Sequence, residues 1–299
     1  MEIFTEFNKQ ENLSVVLGFF DGIHQGHKVV INTAVEYARK NGLKSALVTF
    51  NDSPSNFFSK KISKYILTKS EKFKFIEDLG IDYLYVLNFD ETLSKMTAAD
   101  YLKNLVENLC PRAITTGYNH YFGYNKSGGP DYLKLMQKEY GYQYLEVAPV
   151  KTKQGVISSS RIKEALISGD LDLANTMLGY RFYVKNDVIE GAKLGRTIGF
   201  KTANLDFPKE IIELSNVVYA VEVKVDDKKY IGIANYGRKP TVTNVTKKIL
   251  EVHIFNFDEN IYGKSIKVSF LNKIREEKKF QSLLELKTQI VKDIECLKL

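Results

Sequence analysis

Ser14-Val15-Val16-Leu17-Gly18-Phe19-Phe20-Asp21-Gly22-Ile23-His24-Gln25-Gly26-His27 is the stretch on which the fold turns. Its first residues are an apolar run of strand length. From His27 to Lys40, apolar residues recur at Val30, Ile31, Ala34, Val35 and Ala38, the spacing of one helix face. Glycines at 18, 22 and 26 occupy the loop between and let the backbone turn tightly and approach a phosphate. The carboxyl end of a strand that feeds a helix is where open α/β sheets bind ligands. The helix start presents free N–H groups and a positive dipole end to an anion. His24 and His27 are three residues apart, so both can point at one group from the first turn. They are two of only four histidines in 299 residues. Imidazoles so placed can donate to phosphate oxygens and stabilise charge building on a transferring phosphoryl or nucleotidyl group. The plainer alternative is a glycine-rich turn with surface histidines.

Segments of the same kinds continue through the first half. Residues 45–50, 83–87, 113–116 and 144–147 are apolar runs of strand length, and 70–79 reads as a helix. Thr97-Ala98-Ala99-Asp100 is the signature of a capping box opening a helix through Leu109. Strands separated by helices imply βαβ units and a parallel sheet covered on both faces. Near residue 180 the pattern changes to strands and turns, at 182–189, 217–225, 229–234, 249–257 and 265–271. Asp226-Asp227 separates two of these as a tight hairpin does. Only 283–297 returns to a helical period. The expectation is an α/β domain over residues 1–180, followed over 181–299 by a small antiparallel β-barrel with a C-terminal helix.

At 44% hydrophobic and 26% charged, the composition is that of a globular chain, which excludes disorder and collagen-like repeats. The formal charge of +7 is uneven, +1 over residues 1–180 and +6 over 181–299. A basic half invites nucleic acid or a small anion without choosing between them. No apolar run approaches the ~20 residues of a membrane helix. Met1-Glu2-Ile3-Phe4-Thr5-Glu6 lacks the basic and apolar regions of a signal peptide. Cys110 and Cys296 have no metal-type spacing, as expected of free thiols in a reducing cytosol. A cytoplasmic protein is expected.

His24-Gln25-Gly26-His27 has the form HxGH, and the loop around it resembles the N-terminal module of the bacterial bifunctional riboflavin kinase/FMN adenylyltransferases. The resemblance implies a Rossmann-like nucleotidylyltransferase domain. In it, His24 and His27 contact ATP phosphates and assist adenylyl transfer, while Gly18, Phe19, Asp21, Gly22 and Gly26 line the ATP site. A Ser-Ser-Thr-x-x-Arg-like segment closes over the phosphates in that family. Here Ile157-Ser158-Ser159-Ser160-Arg161-Ile162-Lys163 stands in its place, so Ser158, Ser159, Ser160 and Lys163 are the implied phosphate contacts. Lys163 keeps the charge of the usual arginine and loses its two-pronged fork. Thr116–Gly123 resembles the family's Gly-x-[Asp/Asn]-Phe-x-Phe-Gly lining of the flavin and nucleotide pocket. Asn119 takes the polar position, Phe122 and Gly123 follow, and His120 replaces a phenylalanine. Thr49-Phe50-Asn51-Asp52-Ser53-Pro54 matches the family's Thr-Phe-Asp-Pro-His-Pro in part, with Ser53 where the histidine is usual.

Gly191-Ala192-Lys193-Leu194-Gly195-Arg196-Thr197-Ile198-Gly199-Phe200-Lys201-Thr202-Ala203-Asn204 reads, by itself, as a flexible basic loop able to wrap a phosphate, or as a plain surface loop. Thr202 and Asn204 share one face of an extended segment, and neutral oxygens beside a phosphate suit Mg²⁺. The stretch resembles the flavokinase motif G-x-x-x-G-R-x-x-G-F-P-T-A-N. By that likeness Thr202 and Asn204 bind Mg²⁺, and Gly191, Gly195, Arg196, Gly199 and Lys201 contact ATP or flavin. Arg275 lies near the flavin end, and Glu251 is the catalytic base. A carboxylate on a barrel strand can take the proton from a ribityl hydroxyl as that oxygen attacks the γ-phosphate. Two positions depart from the motifs. Lys201 replaces a proline and removes a fixed φ. Val217 replaces a glycine at which a ligand or backbone comes close.

Motifs of both modules run in order from about residue 14 to the C-terminus. They imply an enzyme that phosphorylates riboflavin to FMN with ATP and Mg²⁺ in the barrel. The N-terminal domain then joins FMN to AMP from a second ATP, releasing pyrophosphate and giving FAD. One alternative is a monofunctional FMN adenylyltransferase whose divergent barrel binds flavin without phosphorylating it. Another is a flavin-sensing or nucleic-acid-binding regulator, supported only by the charge of the barrel. Aromatic runs interleaved with basic residues, as in single-strand binders, are not evident. Lys193, Arg196, Lys201 and Arg275 fall in or beside segments expected to meet ATP or flavin. Small-molecule substrates, no nucleic acid and no membrane are the expected partners.

Overall fold

A computed structural model describes residues 1–59, 62–190, 200–240, 246–278, 280–295 and 297, with side chains at all of these except 238–240, 246, 247 and 283. The chain forms two compact units, Met1–Ser159 and Ser160–Leu299.

The first unit is built on six strands: β1 (Glu2–Phe4), β2 (Leu13–Leu17), β3 (Lys44–Phe50), β4 (Tyr83–Leu87), β5 (Pro111–Gly117) and β6 (Gln143–Val147). Their spatial order is β1-β4-β3-β2-β5-β6, and every pairing is parallel. β2 is buried along its whole length, which explains why it reads as a continuous apolar run rather than an alternating one. Among the described residues, six α-helices belong to this unit: α1 (Gln25–Lys40), α2 (Pro54–Phe58), α3 (Lys69–Asp78), α4 (Glu91–Lys95), α5 (Ala98–Leu109) and α6 (Pro130–Tyr140). α1 buries the face legible in its sequence, Val30, Ile31, Ala34, Val35 and Ala38. Ser14 Oγ ties β2 to it by donating to the Ala34 carbonyl at 2.8 Å. The capping box at Thr97 forms: Thr97 Oγ1 accepts from the Asp100 amide at 3.1 Å and donates to the Asp100 carboxylate at 2.6 Å. Leu102, Leu105 and Leu109 of α5 then join Tyr85, Leu13 and Ile114 in one core cluster. Each such side chain contributes about 1.5–3 kcal/mol when removed from water.

The winding of the sheet places the site. From β2 the chain passes through β3 and β4 on one side, then crosses back to β5 and β6 on the other. The order therefore reverses at β2/β5, and the crevice beyond their carboxyl ends is the switch point where such sheets take ligands. The loop Gly18–His24 leaves β2 at that point. A short hairpin, β7 (Lys151–Thr152) with β8 (Gly155–Val156), follows β6.

The second unit holds most of α7 (Ser159–Ser168), then α8 (Leu171–Leu178), a barrel and a last helix. The barrel strands are β9 (Tyr183–Ile189), β10 (Ala203–Asp206), β11 (Val217–Val225), β12 (Lys228–Pro240), β13 (Thr246–Ile254) and β14 (Ser265–Glu276). They close in the order β10-β13-β12-β11-β14-β9, antiparallel throughout. The Asp226-Asp227 hairpin stands as expected, with Val225 opposite Lys228 and Asp226 at φ +52°. Leu205, Leu250, Val252, Val221, Val268 and Phe270 fill the interior. One side chain of α8 bonds the barrel at two points. Asn175 accepts from the Phe182 amide at 2.7 Å and donates to the Phe270 carbonyl at 3.3 Å. The last helix is α9 (Leu283–Glu295).

Candidate active sites

The loop after β2 is fixed at several points. Asp21 is buried, its Oδ1 accepts from the Ile66 amide at 2.9 Å, and its carbonyl accepts from Ser159 Oγ at 2.8 Å. The Phe19 carbonyl accepts from Lys72 Nζ and from Thr49 Oγ1. Phe20 and Ile23 hold positive φ values of +57° and +35°, costly for residues with a β-carbon. Gly22 lies at φ +82°, where an added Cβ would also meet Ile66 at 2.8 Å. A Cβ on Gly26 would reach 3.1 Å from the His24 ring, so the small residue between the histidines lets that ring sit over the helix start.

His24 is the N-cap of α1, and its Nδ1 accepts from the His27 amide at 3.2 Å. With Nδ1 accepting, the neutral ring carries its proton on Nε2, where it can donate. The two imidazoles stack at 3.5 Å between centroids with planes 17° apart, and Phe20 meets His27 edge-on at 5.2 Å. Burial pushes the pKa of His24 down to about 4, against a backbone hydrogen bond that raises it. Burial, then the charge of His24 and that of Lys72, hold His27 well below the usual imidazole range. Both rings are therefore neutral near pH 7, a state in which each carries one N–H able to donate. His27 Nδ1 is buried with no hydrogen-bond partner among the described residues.

Other sequence-named residues of this module take varied places. Ser159 opens α7 and bonds the Asp21 carbonyl, which brings it to the loop. Ser158 is half-buried beside it, while Ser160 and Lys163 continue along α7 as part of the second unit. Asn119 is exposed just past β5, the strand next to β2. Phe122 packs on Tyr101 at 5.4 Å and Tyr132 at 6.1 Å. A Cβ on Gly123 would fall 2.6 Å from the Ala98 amide, so Gly123 serves the close approach of two chain segments. His120, where a phenylalanine is usual, stacks on Phe122 at 5.9 Å, and burial pushes its pKa down to about 4. Ser53 is the N-cap position of α2; its amide bonds Asp52 at 2.7 Å and the Tyr65 hydroxyl at 3.1 Å.

In the barrel, register does the placing. Asn204 on β10 lies directly opposite Glu251 on β13, and Glu251 lies directly opposite Asn235 on β12. The neighbouring rows, Ala203–Val252–Ala234 and Leu205–Leu250–Tyr236, are buried and apolar apart from one hydroxyl. By the alternation of strands, the row Asn204–Glu251–Asn235 occupies the opposite face, and Thr202 joins it two residues before Asn204. Asn204 is only 4% exposed, and among the described residues neither its Oδ1 nor the buried Asn235 Oδ1 has a hydrogen-bond partner. A cavity lined by Lys201, Thr202, Ala203, Val252, Ile254 and Tyr262, among others, reaches Thr202 but does not include Asn204, Glu251 or Asn235 in its lining. Gly191, Gly195, Arg196 and Gly199, with Lys193, lie outside the described residues.

The departures from the flavokinase motif are absorbed locally. Lys201 pairs with Asp258, and its carbonyl accepts from His253 Nδ1 at 2.7 Å. Phe200 meets the same imidazole edge-on at 5.1 Å. A side-chain pair and a carbonyl bond thus steady the segment that a proline ring fixes elsewhere. Val217 is 1% exposed, its isopropyl group committed to packing at the start of β11.

Arg275 is engaged. Its Nε donates to Asp293 Oδ1 at 2.9 Å, its Nη2 donates to Oδ2 at 2.8 Å, and Gln289 adds a bond to Oδ1 at 2.9 Å. The aspartate side chain is 3% exposed and the arginine 21%. This pair ties β14 to α9. Removing one partner of a buried pair leaves an uncompensated charge, so Arg275→Met is expected to destabilise the barrel by about 3 kcal/mol, read as a lower urea midpoint of its unfolding.

Sequence reading missed two polar residues that the structure bonds to sequence-named ones, Lys72 and Asp293, and gave no role to Asn235. Lys72 left a signal. It lies one helical turn before Ile76 on the buried face of α3, a position where an apolar residue is expected.

A parallel α/β unit with a paired-histidine loop at its switch point, followed by a closed barrel with a carboxylate-and-amide row, belongs to the class of two-module nucleotide-dependent transferases. The comparisons agree. Residues 6–161 match the family model described as FAD synthetase, and residues 178–298 match that described as riboflavin kinase. The chain is 36% identical over 292 residues to the bifunctional riboflavin kinase/FMN adenylyltransferase of Buchnera aphidicola, covering 96% of this chain and 93% of that one. It is 36% identical over 290 residues to the Bacillus subtilis protein of the same name, covering 95% and 91%. A crystal structure described as a macrolide-efflux protein from Streptococcus pneumoniae superposes with a TM-score of 0.89 at 30% identity, covering 99% of this chain and 98% of that one. The chain belongs to the bifunctional riboflavin kinase/FMN adenylyltransferase family. Among the described residues no helix is long and apolar enough to cross a membrane.

Proposed function

We propose that the chain makes FAD in two steps at two separate sites. In the barrel, riboflavin and ATP give FMN and ADP. In the α/β unit, FMN and a second ATP give FAD and pyrophosphate. The observation that carries the reading is the joint presence of the stacked His24/His27 pair at the switch point and the Asn204–Glu251 pair across β10 and β13.

For the kinase step, Glu251 takes the proton of the terminal ribityl hydroxyl as its oxygen attacks the γ-phosphorus. Thr202 and Asn204 would hold Mg²⁺; the buried Asn204 Oδ1, unpaired among the described residues, is the kind of hard oxygen donor that fits such a cation. When bound, that ion neutralises charge on the triphosphate. For the adenylyl step, an FMN phosphate oxygen attacks the α-phosphorus of ATP and pyrophosphate leaves. His24 and His27 donate to the oxygens on which charge builds, and the start of α1 adds its dipole. Gly18, Phe19, Asp21, Gly22 and Gly26 shape that loop. Ser158, Ser159, Ser160 and Lys163 are assigned to the phosphates, and Asn119 to the nucleotide or flavin rim. The functional boundary is placed near residue 180, after α8.

Riboflavin, FMN and ATP are the proposed partners, and the cytoplasm the proposed compartment. The ion pairs Lys201–Asp258, Arg275–Asp293, Lys229–Glu222 and Lys264–Asp226 support the small-molecule reading of the basic half, because they break up its positive field. The test is to feed riboflavin and FMN in separate reactions with ATP and Mg²⁺. FMN from the first and FAD from the second are expected. FAD from FMN without any FMN from riboflavin would leave a monofunctional adenylyltransferase.

A further inference from the structure

Lys72 lies on α3, outside every motif assigned above, and is 7% exposed. Its Nζ donates to the Phe19 carbonyl at 2.6 Å and to Thr49 Oγ1 at 3.1 Å, and it lies 4.2 Å from the centroid of the Phe19 ring. Thr49 Oγ1 in turn donates to the same Phe19 carbonyl at 3.1 Å. The three groups form a closed triangle that joins α3, the end of β3 and the loop leaving β2. A buried ammonium is costly to a fold unless something compensates it, and a methionine would fill the same space without that cost. The cation is aimed at the carbonyl of the residue that opens the phosphate-binding loop.

We infer that Lys72 is a positioning residue for adenylyl transfer: it fixes the Phe19 carbonyl, and with it the path of the loop to His24, and it supplies a positive charge behind the bound polyphosphate. The inference rests on the adenylyl-transfer reading of this site. Burial is the main reason His27 stays neutral, and after the charge of His24 that of Lys72 adds to it.

The electrostatics give a test that a purely structural lysine would not meet. Burial pushes the pKa of Lys72 down to about 7, with Asp21 raising it and Lys69 lowering it. The charged and titratable groups that bear on it are Asp21 on the loop, His27 on α1 and Lys69 on its own helix, and β3 brings the hydroxyl of Thr49 against it. A lysine is charged below its pKa, so the free enzyme loses this charge as pH rises through about 7. Burial holds both imidazoles below that window. The second ionisations of the substrate phosphates, near ~6, also lie below it.

The experiment uses the full chain. It measures kcat/KM for ATP in FAD formation from FMN between about pH 6.5 and about pH 9, with FMN formation from riboflavin as an internal control. The wild-type value is expected to fall on the alkaline side. Lys72→Met is expected to lower kcat/KM at pH 6.5 by about 10–100-fold, to remove the alkaline fall, and to leave the kinase reaction unchanged. A flat wild-type profile would overturn the inference without any variant. So would a Lys72→Met enzyme within twofold of wild type, or one that keeps the parental alkaline fall. A wild-type chain that makes no FAD from FMN would overturn the adenylyl-transfer reading, and the role of Lys72 with it.

Discussion

Glu251→Gln is expected to lower FMN formation from riboflavin by about 10²–10⁴-fold while FAD formation from FMN continues at the parental rate. The amide keeps the size of the side chain and its place opposite Asn204 and Asn235, but it cannot accept the ribityl proton. The loss should therefore appear in kcat more than in KM for riboflavin, since ground-state binding is preserved. The control is internal to the chain, because the paired histidines lie in the other compact unit. Rates of FMN and FAD formation, measured separately on one preparation, check it.

His27→Asn is expected to do the reverse, lowering FAD formation from FMN by about 10²–10³-fold and sparing the kinase. His27 is the better target of the two. His24 also caps α1, and removing it would cost about 1 kcal/mol of helix stability together with the catalytic group. Because burial holds both imidazoles below the usual range, neither gains charge between about pH 5 and about pH 8. The acid side of the FAD-forming profile should accordingly show no imidazole titration in that window, and the alkaline side should carry the change.

Much of the framework was legible in the sequence because it is written in local patterns. The buried stripe of α1, the continuous apolar run of β2 and the capping box at Thr97 each specify themselves within a few residues. The same holds for the HxGH loop, since glycines and histidines at fixed spacing are rare enough to notice. β10 was not legible as a strand. Ala203–Asp206 is four residues long and two of them are polar, so its strand character comes only from pairing with β9 and β13. α2 and α4 are five residues each, too short to show a helical period. Lys72 was passed over because a lysine in a helix usually means a solvated face. Arg275 was read from its motif toward flavin, while its carboxylate partner Asp293 lies on another element. The row Asn204–Glu251–Asn235 is a consequence of register, which no single stretch of the chain contains.

The most direct measurement of two sites joined by a diffusible intermediate is a mixing experiment. His27→Asn and Glu251→Gln proteins are assayed alone and together for FAD formed from riboflavin, ATP and Mg²⁺. Alone, the first is expected to stop at FMN and the second to leave riboflavin unchanged. Together they are expected to produce FAD, one supplying FMN and the other adenylylating it. A mixture that accumulates FMN without FAD, or either variant making FAD from riboflavin at the parental rate by itself, would contradict the assignment of the two steps to these two sites.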